Sequence, residues 1–466
     1  MPGRHGRLAL LALPLVVACR GAEHPSSGTA ASFAVELGRS GETLRGVAGD
    51  GMRVYVARGE TTHSEIEARD AMAGRLAWSV TLPGSAGALA AIPGAVVVSM
   101  SATGQLAQPE LGAAVALHGE PSGLVVALDA ATGRPRWRVP VDGTEFAVIT
   151  SIAGIVDPAK GTRVSVVIGG LFSGTIRIGD ATNAGLPGAP TGRTVVSSAG
   201  RTDGFVAALT SDGSVLWVDR VGGPGADAIE GVAARGDRIA IAGMFAGGAE
   251  LMGENLPALD ERLPFADGFV AELDLTGARR WAQTFGGKAD DAVTGVAIDS
   301  KQRVAVAATL RTAFTLGDRE LEVRGAADGL VAWYSPAGAL GASTLIGGTD
   351  FDGLRAITAI DDRVVVAGFF RGTLALGTHT LDAGGGDDSF LVTVNATGQL
   401  EKAWHLAGTG REEITALTPI PGGFVAGIAH TAALVIASPG SPGDEDTLPA
   451  PSDPTSGAAV ISRPAP

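Results

Sequence analysis

The feature that most constrains this chain is an internal repeat. The pentapeptide DGFVA begins at Asp203 and again at Asp267, DGLVA begins at Asp328, and a looser copy, DSFLV, begins at Asp388. Successive copies start 64, 61 and 60 residues apart. A chain with such a period folds as a row or ring of similar supersecondary units. The acidic and glycine-rich stretches inside a copy are therefore interpreted first as architecture and only then as chemistry.

Glycines follow each motif at a shared distance. Gly222, Gly286 and Gly347 each open a glycine pair 19 residues after the aspartate, and the fourth copy keeps Gly408 alone at 20. Chance does not readily produce one offset several times. We interpret the aspartate and the glycine pair as parts of one structural unit.

Tryptophans also recur at a fixed place in the unit. The glycine and the tryptophan lie four residues apart at Gly74/Trp78, Gly133/Trp137, Gly213/Trp217 and Gly277/Trp281. Ala342 replaces the tryptophan in one later copy, and the spacing stretches to Gly398/Trp404 in the next. Stacking on a carbohydrate ligand is one interpretation, but the fixed position favours packing between units.

The apolar runs within a unit are short and have the character of β-strands. Residues 229–285 contain IEGVAAR, RIAIAGM, FVAELD and RRWAQTF, separated by Gly, Asp and Asn. Four short strands in about 60 residues are typical of a propeller blade, and helical spacing of apolar residues is missing. The sequence predicts an all-β fold: a β-propeller of four-stranded antiparallel blades over residues 32–438.

The number of units predicts a seven-bladed ring, with six or eight left open because residues 86–203 are the least regular. The last unit, residues 413–437, is one strand short. The N-terminal run FAVELG, residues 33–38, stands before the first unit and matches the missing outer strand. We therefore expect the N-terminal strand to close the last blade, which removes exposed sheet edges.

The chain ends predict export and a lipid anchor. Arg4 and Arg7 precede an apolar run, Leu8–Ala18, that is too short to span a bilayer, so residues 1–18 are predicted to be a signal peptide. Val-Val-Ala-Cys, ending at Cys19, resembles a bacterial lipobox, and Cys19 is the chain's single cysteine. We expect lipidation of Cys19, a flexible tether over residues 19–31 and a disordered tail over 439–466. Arg20, rather than Asp, favours the outer membrane of a Gram-negative cell, with the protein facing the periplasm or the surface.

Charge argues against one class of partner. The formal net charge is −14, and the chain contains no run of basic residues. Nucleic-acid binding depends on clustered Lys and Arg. Nucleic acid is therefore not an expected partner.

Two stretches resemble known propeller repeats. Residues 123–143 are similar to the PQQ-like repeat, with its pattern at Ala127, Asp129, Thr132, Gly133 and Trp137. Residues 203–408 resemble the DGF…W…FGG propeller repeats of bacterial secreted proteins and lipoproteins. The resemblance implies either a quinoprotein dehydrogenase, which holds PQQ and calcium, or an outer-membrane assembly lipoprotein that serves as a docking scaffold. The dehydrogenases carry adjacent cysteines, which this chain lacks, so no cofactor is expected.

Acidic turns after the glycine pairs offer a weak metal hypothesis. Asp350 and Asp352 supply a fragment of a calcium loop, whereas calcium takes six to eight oxygens. Because acidic residues recur at this point of each unit, hydrogen bonds to backbone amides are the favoured interpretation.

Long connections precede the DGF copies, at residues 243–268, 309–329 and 368–388. Each is predicted to form an extra hairpin, and whether these hairpins build a binding surface or only cover neighbouring blades stays open. No catalytic residue is assigned. The sequence predicts a non-catalytic protein-interaction scaffold with a protein partner; the alternative is an enzyme or a carbohydrate- or ligand-binding propeller that uses the mouth of the channel.

Overall fold

The computed structural model describes residues 33–37, 43–106, 111–112, 114–155, 163–179, 194–256, 266–438, 445–448, 450 and 457–464. Regular structure in these ranges is β-strand, and α-helix is absent from them. Within the same ranges, no helix is long and apolar enough to span a membrane. The signal peptide, the tether and Cys19 lie outside the described residues.

The strands of the described residues form seven antiparallel sheets, called blades 1 to 7. Strand β1 (Phe33–Glu36) belongs to the last of them. Blade 1 contains β2 (Thr43–Gly49), β3 (Arg53–Gly59), β4 (His63–Asp70) and β5 (Leu76–Pro83). Blade 2 contains β6 (Ser85–Ile92), β7 (Ala95–Leu106), β8 (Val115–Asp129) and β9 (Pro135–Gly143), extended by β12 (Thr175–Ile178) and β13 (Thr194–Ser197). Blade 3 contains β10 (Phe146–Gly154), β11 (Val166–Ser173), β14 (Asp203–Leu209) and β15 (Val215–Gly222), extended by β18 (Glu250–Leu251) and β19 (Glu254–Asn255).

The remaining blades follow in chain order. Blade 4 contains β16 (Ala228–Arg235), β17 (Arg238–Ala246), β20 (Ala266–Asp274) and β21 (Arg279–Gly287), extended by β24 (Phe314–Leu316) and β25 (Arg319–Leu321). Blade 5 contains β22 (Ala292–Ile298), β23 (Val304–Leu310), β26 (Asp328–Tyr334) and β27 (Leu340–Ile346). Blade 6 contains β28 (Gly353–Ile360), β29 (Arg363–Leu376), β30 (His379–Asn395) and β31 (Leu400–Gly408), extended by β34 (Leu434–Ala437) and β35 (Glu445–Leu448). Blade 7 contains β32 (Glu412–Ile420), β33 (Gly423–His430), β36 (Gly457–Pro464) and β1.

The first strand of each blade lines the axis of a ring. These inner strands contact one another in the order β2, β6, β10, β16, β22, β28 and β32, and β32 contacts β2 again. The chain then runs outward through each blade, and the apolar core lies between neighbouring blades. For example, all seven residues of β14 are buried. This arrangement is a β-propeller.

The predicted fold class is wrong in the composition of its blades. Four of the seven sheets have six strands rather than four. Their two additional strands come from a hairpin of the following blade in the chain. Strand counting along the sequence assigned such a hairpin to its own unit, because sequence adjacency does not reveal which sheet edge an insertion joins.

The predicted closure is also wrong in its partners. Residues 434–437, expected to be the third strand of the last blade, instead pair with β31 in blade 6. The third strand of blade 7 is β36, which pairs with β33 on one side and with β1 on the other. N-terminal β1 therefore forms the outer edge of blade 7, but it does so through a strand that the sequence analysis placed in the disordered tail.

The prediction of a disordered tail rests on the average composition of residues 439–466. Residues 457–464 follow a segment rich in Pro, Ser and acid, yet they form β36, in which Ala459 and Ile461 are fully buried. Residues 445–448 form β35. The prediction of disorder is wrong for these two stretches because a short apolar run gains its stability from sheet edges that already exist.

Candidate functional site

Each junction between blades 1 to 5 holds a tryptophan against a glycine turn of the following blade. A Cβ atom added at Gly133 would lie 2.7 Å from the Trp78 ring, and one at Gly213 would lie 2.8 Å from the Trp137 ring. Indole Nε1 of Trp137 donates to the carbonyl oxygen of Ser211 at 2.8 Å. The same contacts recur for Trp217 on Gly277, and Trp281 packs on Gly338. The glycine and the tryptophan of the repeat thus meet across blades rather than within one.

The next two junctions use other contacts. At the junction of blades 5 and 6, where Ala342 stands in the tryptophan position, Thr344 Oγ1 donates to the Gly398 carbonyl at 2.6 Å. Trp404 is fully buried between blades 6 and 7, and its ring meets Phe424 edge to face at 5.3 Å between centroids. These residues contribute to packing, and none of them lines the channel described below.

The aspartate of the DGF motif explains the first glycine of each pair. A Cβ atom at Gly222, Gly286 or Gly347 would lie 2.0, 2.1 and 2.0 Å from an Oδ1 atom of Asp203, Asp267 and Asp328, respectively. No side chain fits there, because the carboxyl group already fills the space. Asp328 Oδ2 also accepts a hydrogen bond from the Arg324 amide at 2.9 Å. The 19-residue spacing is therefore constant because the aspartate and the glycine are in direct contact across the third and fourth strands of each of these blades.

The acidic residue after each glycine pair binds backbone. Asp227 accepts hydrogen bonds from the amides of Gly223 at 2.8 Å and Ala246 at 3.0 Å. Asp352 accepts from Gly348 at 2.5 Å and Arg371 at 3.1 Å. These bonds tie the end of one blade to the second strand of the next. Asp352 therefore makes the hydrogen bonds to backbone amides that the sequence analysis favoured over calcium binding.

Asp350, the other calcium candidate, accepts a hydrogen bond from the Phe351 amide at 2.9 Å. Within the described ranges, no three His, Cys, Asp or Glu side chains are grouped so as to hold a metal ion.

Burial makes several of these carboxyl groups hard to ionise. It raises the pKa of Asp227 to about 6, and the nearby Asp203 carboxylate adds to the effect. Burial and then the Asp267 carboxylate raise the pKa of Asp291 to about 7. The pKa of Glu412 is raised in the same way by burial and Asp388. Paired carboxyl groups are thus a recurring property of the junctions rather than the mark of one catalytic site.

The inserted hairpins join neighbouring blades. Hairpin β18–β19 pairs with outer strand β15 through Val221 opposite Leu251 and Gly222 opposite Glu250. Hairpins β12–β13, β24–β25 and β34–β35 pair in the same way with β9, β21 and β31. The connection at residues 368–388 differs, because it remains within the long strands β29 and β30 of its own blade. These four hairpins therefore cover the outer edge of a neighbouring blade, which is one of the two roles that the sequence left open.

The inner strands share a feature that the sequence analysis missed. Every one of them carries an irregularity in its pairing with the second strand, at the same place near its start. The skipped residues form what we call the bulge ring: Arg45, Gly87 with Ala88, Thr150, Glu230, Thr294, Arg355 and Thr415. A β-bulge redirects a side chain out of the regular alternation of the strand. All of these residues line the central channel.

The channel is roomy, and its lining exposes polar and apolar surface in similar amounts. Its volume is about 1030 Å³, at the upper end of the range of small-molecule pockets. Its lining includes aliphatic residues of the inner strands whose side chains pack into the cores between blades: Val47, Leu89, Ile152, Val232, Val296, Ile357 and Leu417. The bulge ring lies toward one mouth, and turn residues such as Asp50, Arg235 and Asp361 lie toward the other.

Charge is distributed unevenly around the bulge ring. Arg45 and Arg355 belong to blades 1 and 6, which flank blade 7 and its Thr415. Glu230 lies on blade 4, across the ring, and burial raises the pKa of its carboxyl group. The Arg355 guanidinium lies over the Phe369 ring at 4.7 Å from the centroid, and its Nε atom is 3.8 Å from Glu413 Oε1. The inner strands thus keep their geometry while their bulged residue changes between Arg, Glu, Thr and Gly-Ala.

A sequence signal for this ring exists. The bulged residue precedes a small residue and an aliphatic one, as in RGV at 45–47, EGV at 230–232, TGV at 294–296 and RAI at 355–357. A Cβ atom at Gly46 would lie 2.7 Å from the Gly87 carbonyl oxygen. The small residue therefore lets adjacent inner strands approach, and the position before it is where the copies differ.

Comparison with known proteins finds one family. Residues 62–151 match the family described as outer membrane protein assembly factor BamB. These residues run from blade 1 into the first strand of blade 3, and the match supports a PQQ-like β-propeller resemblance for this part of the chain. No curated protein matches the chain.

Solved structures give distant likenesses. A europium-containing methanol dehydrogenase is 12% identical, with 86% of this chain and 84% of that chain covered and a TM-score of 0.38. Sqt1 of Saccharomyces cerevisiae is 9% identical, with 95% and 100% covered and a TM-score of 0.41. Hydrazine synthase of Kuenenia stuttgartiensis is 9% identical, with 82% and 92% covered and a TM-score of 0.43. At these TM-scores, the likenesses say nothing about function.

Proposed function

We propose that this protein is a non-catalytic protein-binding scaffold of the bacterial envelope, held to the outer membrane by a lipid on Cys19. The observation that carries the proposal is an exposed apolar patch on blade 1. Met52, Met72 and Leu76 have relative exposures of 72%, 55% and 53%. They are three of the five large hydrophobic side chains that are exposed among the described residues. We call them the blade 1 patch.

The two methionine turns of this patch are held side by side. The Ala71 amide donates to the Met52 carbonyl oxygen at 2.9 Å. Asp50 Oδ1 accepts from the Met52 amide, and Asp70 Oδ1 accepts from the Met72 amide, each at 2.9 Å. The backbone is therefore fixed while the flexible thioether side chains face solvent. Such a surface suits an apolar segment of a partner protein.

Equivalent turns on other blades have polar or small residues where blade 1 has exposed methionines. Asp237 of blade 4 and Asp362 of blade 6 stand directly before the second strand, as Met52 does, and each pairs with a cation. Ala131 occupies the place of Met72 in the matching turn of blade 2, where Asp129 accepts its amide. Because the fold accepts polar or small residues there, blade structure alone does not require the methionines.

The match to an outer-membrane assembly factor supports the same proposal. It covers Met72 and Leu76, and the printed family name describes a protein that works in assembly at the outer membrane. The predicted lipidation of Cys19 would place the propeller at that membrane. Detergent phase partitioning tests the anchor: the full chain should enter the detergent phase and Cys19→Ser should not. Equal partitioning of the two would refute the anchor but leave the patch intact.

Site-specific photo-crosslinking tests the patch in the full chain in its own cells. A photoreactive residue at Met72 or Leu76 should give a discrete protein adduct, and the same residue at Ala131 should not. The partner, once identified and purified, should bind the wild-type protein at least tenfold more tightly than Met72→Ala, which copies the blade 2 turn. Lipid adducts at Met72, equal adducts at Ala131, no adduct, or unchanged affinity of Met72→Ala would each contradict the proposal.

A further inference from the structure

Three junctions place two aspartate side chains at one glycine pair. At the junction of blades 3 and 4, Asp203 fills the space beside Gly222, and the next amide, that of Gly223, donates to Asp227 Oδ2 at 2.8 Å. The next two junctions repeat this arrangement. We call the three sets the aspartate pairs: Asp203 with Asp227, Asp267 with Asp291, and Asp328 with Asp352.

The hydrogen bonds of the first pair leave one carboxyl oxygen without a donor. Asp227 accepts a backbone amide on each of its two oxygens, from Gly223 and from Ala246. Asp203 accepts the Ala199 amide on Oδ2, whereas its Oδ1 atom is buried and has no hydrogen-bond partner among the described residues. Buried polar atoms in native proteins are nearly always paired. A proton on Asp203 Oδ1 would supply the missing bond, with the neighbouring carboxylate as its acceptor.

The third pair has the same unpaired atom. Asp352 accepts the amides of Gly348 and Arg371, one on each oxygen. Asp328 accepts the Arg324 amide on Oδ2, and its buried Oδ1 atom has no partner among the described residues. Two separate junctions therefore point to the same oxygen of the DGF aspartate as the place of a proton.

We propose that each aspartate pair shares one proton, carried on Oδ1 of the DGF aspartate, and that release of this proton to solvent loosens the junctions between blades 3 and 6. Two adjacent buried carboxyl groups resist double ionisation, because each carboxylate disfavours the charge of the other. One sector of the ring would thus be held more firmly at acid pH than at alkaline pH. This inference is independent of the scaffold function proposed above.

The charges around the first pair leave room for one proton. Arg220 Nη1 lies 3.8 Å from Asp203 Oδ2 and offsets one of the two negative charges. Arg201, in the turn before β14, and Glu250, opposite Gly222 in the covering hairpin, are both exposed and therefore screened by water.

The other pairs meet different charges. Asp290 lies near the second pair and adds a further negative charge. Arg324 and Asp350, of opposite sign, lie near the third pair. A second ionised carboxyl group therefore gains no full compensation at any of the three junctions.

The pKa shifts give the sign of the effect. Burial raises the pKa of Asp227 to about 6, and burial raises that of Asp291 to about 7. Burial also raises the pKa of Asp203, Asp328 and Asp352. The folded protein holds these protons more tightly than the unfolded chain does. The stabilisation is therefore present in full below about pH 4 and is lost as pH rises through about 6 to 7.

Two other junctions provide an internal contrast. Between blades 1 and 2, Ser64 Oγ accepts the Ala86 amide at 2.8 Å and donates to the Gly84 carbonyl at 3.0 Å. A hydroxyl group donates and accepts at once, so this junction needs no proton from solvent. Between blades 6 and 7, His405 Nε2 lies 2.7 Å from Asp388 Oδ2, and an imidazole takes part instead.

Hydrogen exchange of the full chain in a non-ionic detergent tests the proposal. Exchange is followed by mass spectrometry at pH 5 and pH 8, and each rate is divided by the intrinsic rate at that pH. Peptides that contain Gly223 and Ala246 report the first pair, and a peptide that contains Ala86 reports the serine junction. Opening at the first pair should be about tenfold more frequent at pH 8 than at pH 5, as a pKa of about 6 requires. Opening at Ala86 should be unchanged.

Two substitutions test the position of the proton. Asp203→Asn places a permanent donor where the shared proton lies, so its protection at pH 8 should match that at pH 5. Asp227→Asn replaces an oxygen that accepts a backbone amide and should lower protection at both pH values. Glu250→Gln, which removes an exposed charge opposite Gly222, is the matched control and should keep the wild-type pH dependence.

Asp328→Asn repeats the test at the third pair, with Gly348 and Arg371 as reporters, and covers the case in which Asp203→Asn does not fold. Equal protection at pH 5 and pH 8 in the wild-type protein would overturn the proposal. So would the same change at Ala86, or an unaltered pH dependence in the folded Asn variants. Exchanged behaviour of Asp203→Asn and Asp227→Asn would overturn the assignment of the proton to the DGF aspartate.

Discussion

The outer strands and the inner strands of this propeller differ in what the repeat preserves from blade to blade. At the junctions, tryptophan, turn glycine and aspartate recur because each makes the same contact with the next blade. On the inner strands, the bulge recurs in every blade, but its residue changes from one blade to the next. A residue that recurs at the same position in each blade is required by packing. Where the backbone geometry recurs but the residue changes, as on the inner strands, packing does not determine the residue.

The largest expected effect comes from a junction tryptophan. Trp137 is buried, packs on Gly213 and donates to Ser211. Trp137→Ala should lower the free energy of unfolding by about 3 to 5 kcal/mol, since it removes a buried ring and leaves a cavity. Urea denaturation followed by tryptophan-independent circular dichroism measures this. Trp137→Phe keeps most of the packing and should lower the free energy of unfolding by less. An unchanged urea midpoint for Trp137→Ala would show that the junction tryptophan does not stabilise the fold.

An intermediate effect is expected at a junction carboxyl group, and it depends on pH. The raised pKa of Asp291 means that the folded state binds its proton more tightly than the unfolded state does. Its contribution to stability is therefore present in full below about pH 4 and is lost as pH rises through about 7. Asp291→Asn removes this titration, so the variant should gain stability relative to wild type between pH 4.5 and pH 8, on the order of 2 kcal/mol.

Denaturation at both pH values measures that difference. The matched control is Asp290→Asn, because Asp290 is the exposed neighbour in the same turn. The control should keep most of the wild-type pH dependence, because the Asp290 carboxylate makes the smallest contribution to the raised pKa of Asp291. A parallel shift of Asp291→Asn at both pH values would show that the Asp291 side chain acts through its packing rather than through its proton.

The smallest effect is expected on the bulge ring. Arg45→Gln should change the free energy of unfolding by no more than about 0.5 kcal/mol, since surface-like substitutions without lost packing stay in this range. Arg45 Nε has no hydrogen-bond partner among the described residues, so the substitution breaks no bond there. A loss comparable to that of Trp137→Ala would make the ring part of the packing and end the contrast between inner and outer strands.

The junctions could be predicted from the sequence because their signals are periodic. The constant offsets of Asp203 to Gly222 and of Asp267 to Gly286 record single contacts, so the spacing survives wherever the contact does. The β-character of the units was equally readable from their short apolar runs. The fixed position of the tryptophans also predicted packing between units, but it did not identify the partner, because the repeating spacing lies within a unit whereas Trp137 contacts Gly213 of the next blade.

The remaining features depend on tertiary context. β36 is a short strand whose stability comes from the edges of β33 and β1, and its surrounding composition hides it. The inserted hairpins join the blade before their own, which no local pattern specifies. The bulge ring is defined by pairing register, and a bulge is invisible until both strands are placed. Its members look unrelated in the sequence because their shared property is position rather than residue type.

Because β1 pairs with β36, the ring can close only after the C-terminal strand has been synthesised. During synthesis, β1 is made first and β36 among the last strands, so blade 7 has no third strand to receive β1 while the intervening blades emerge. The ring therefore stays open, and its terminal edges stay unsatisfied, until residues 457–464 have been made. A chain stopped before residue 457 would keep β33 and β1 as free edges, which makes truncated forms candidates for aggregation and for rapid degradation.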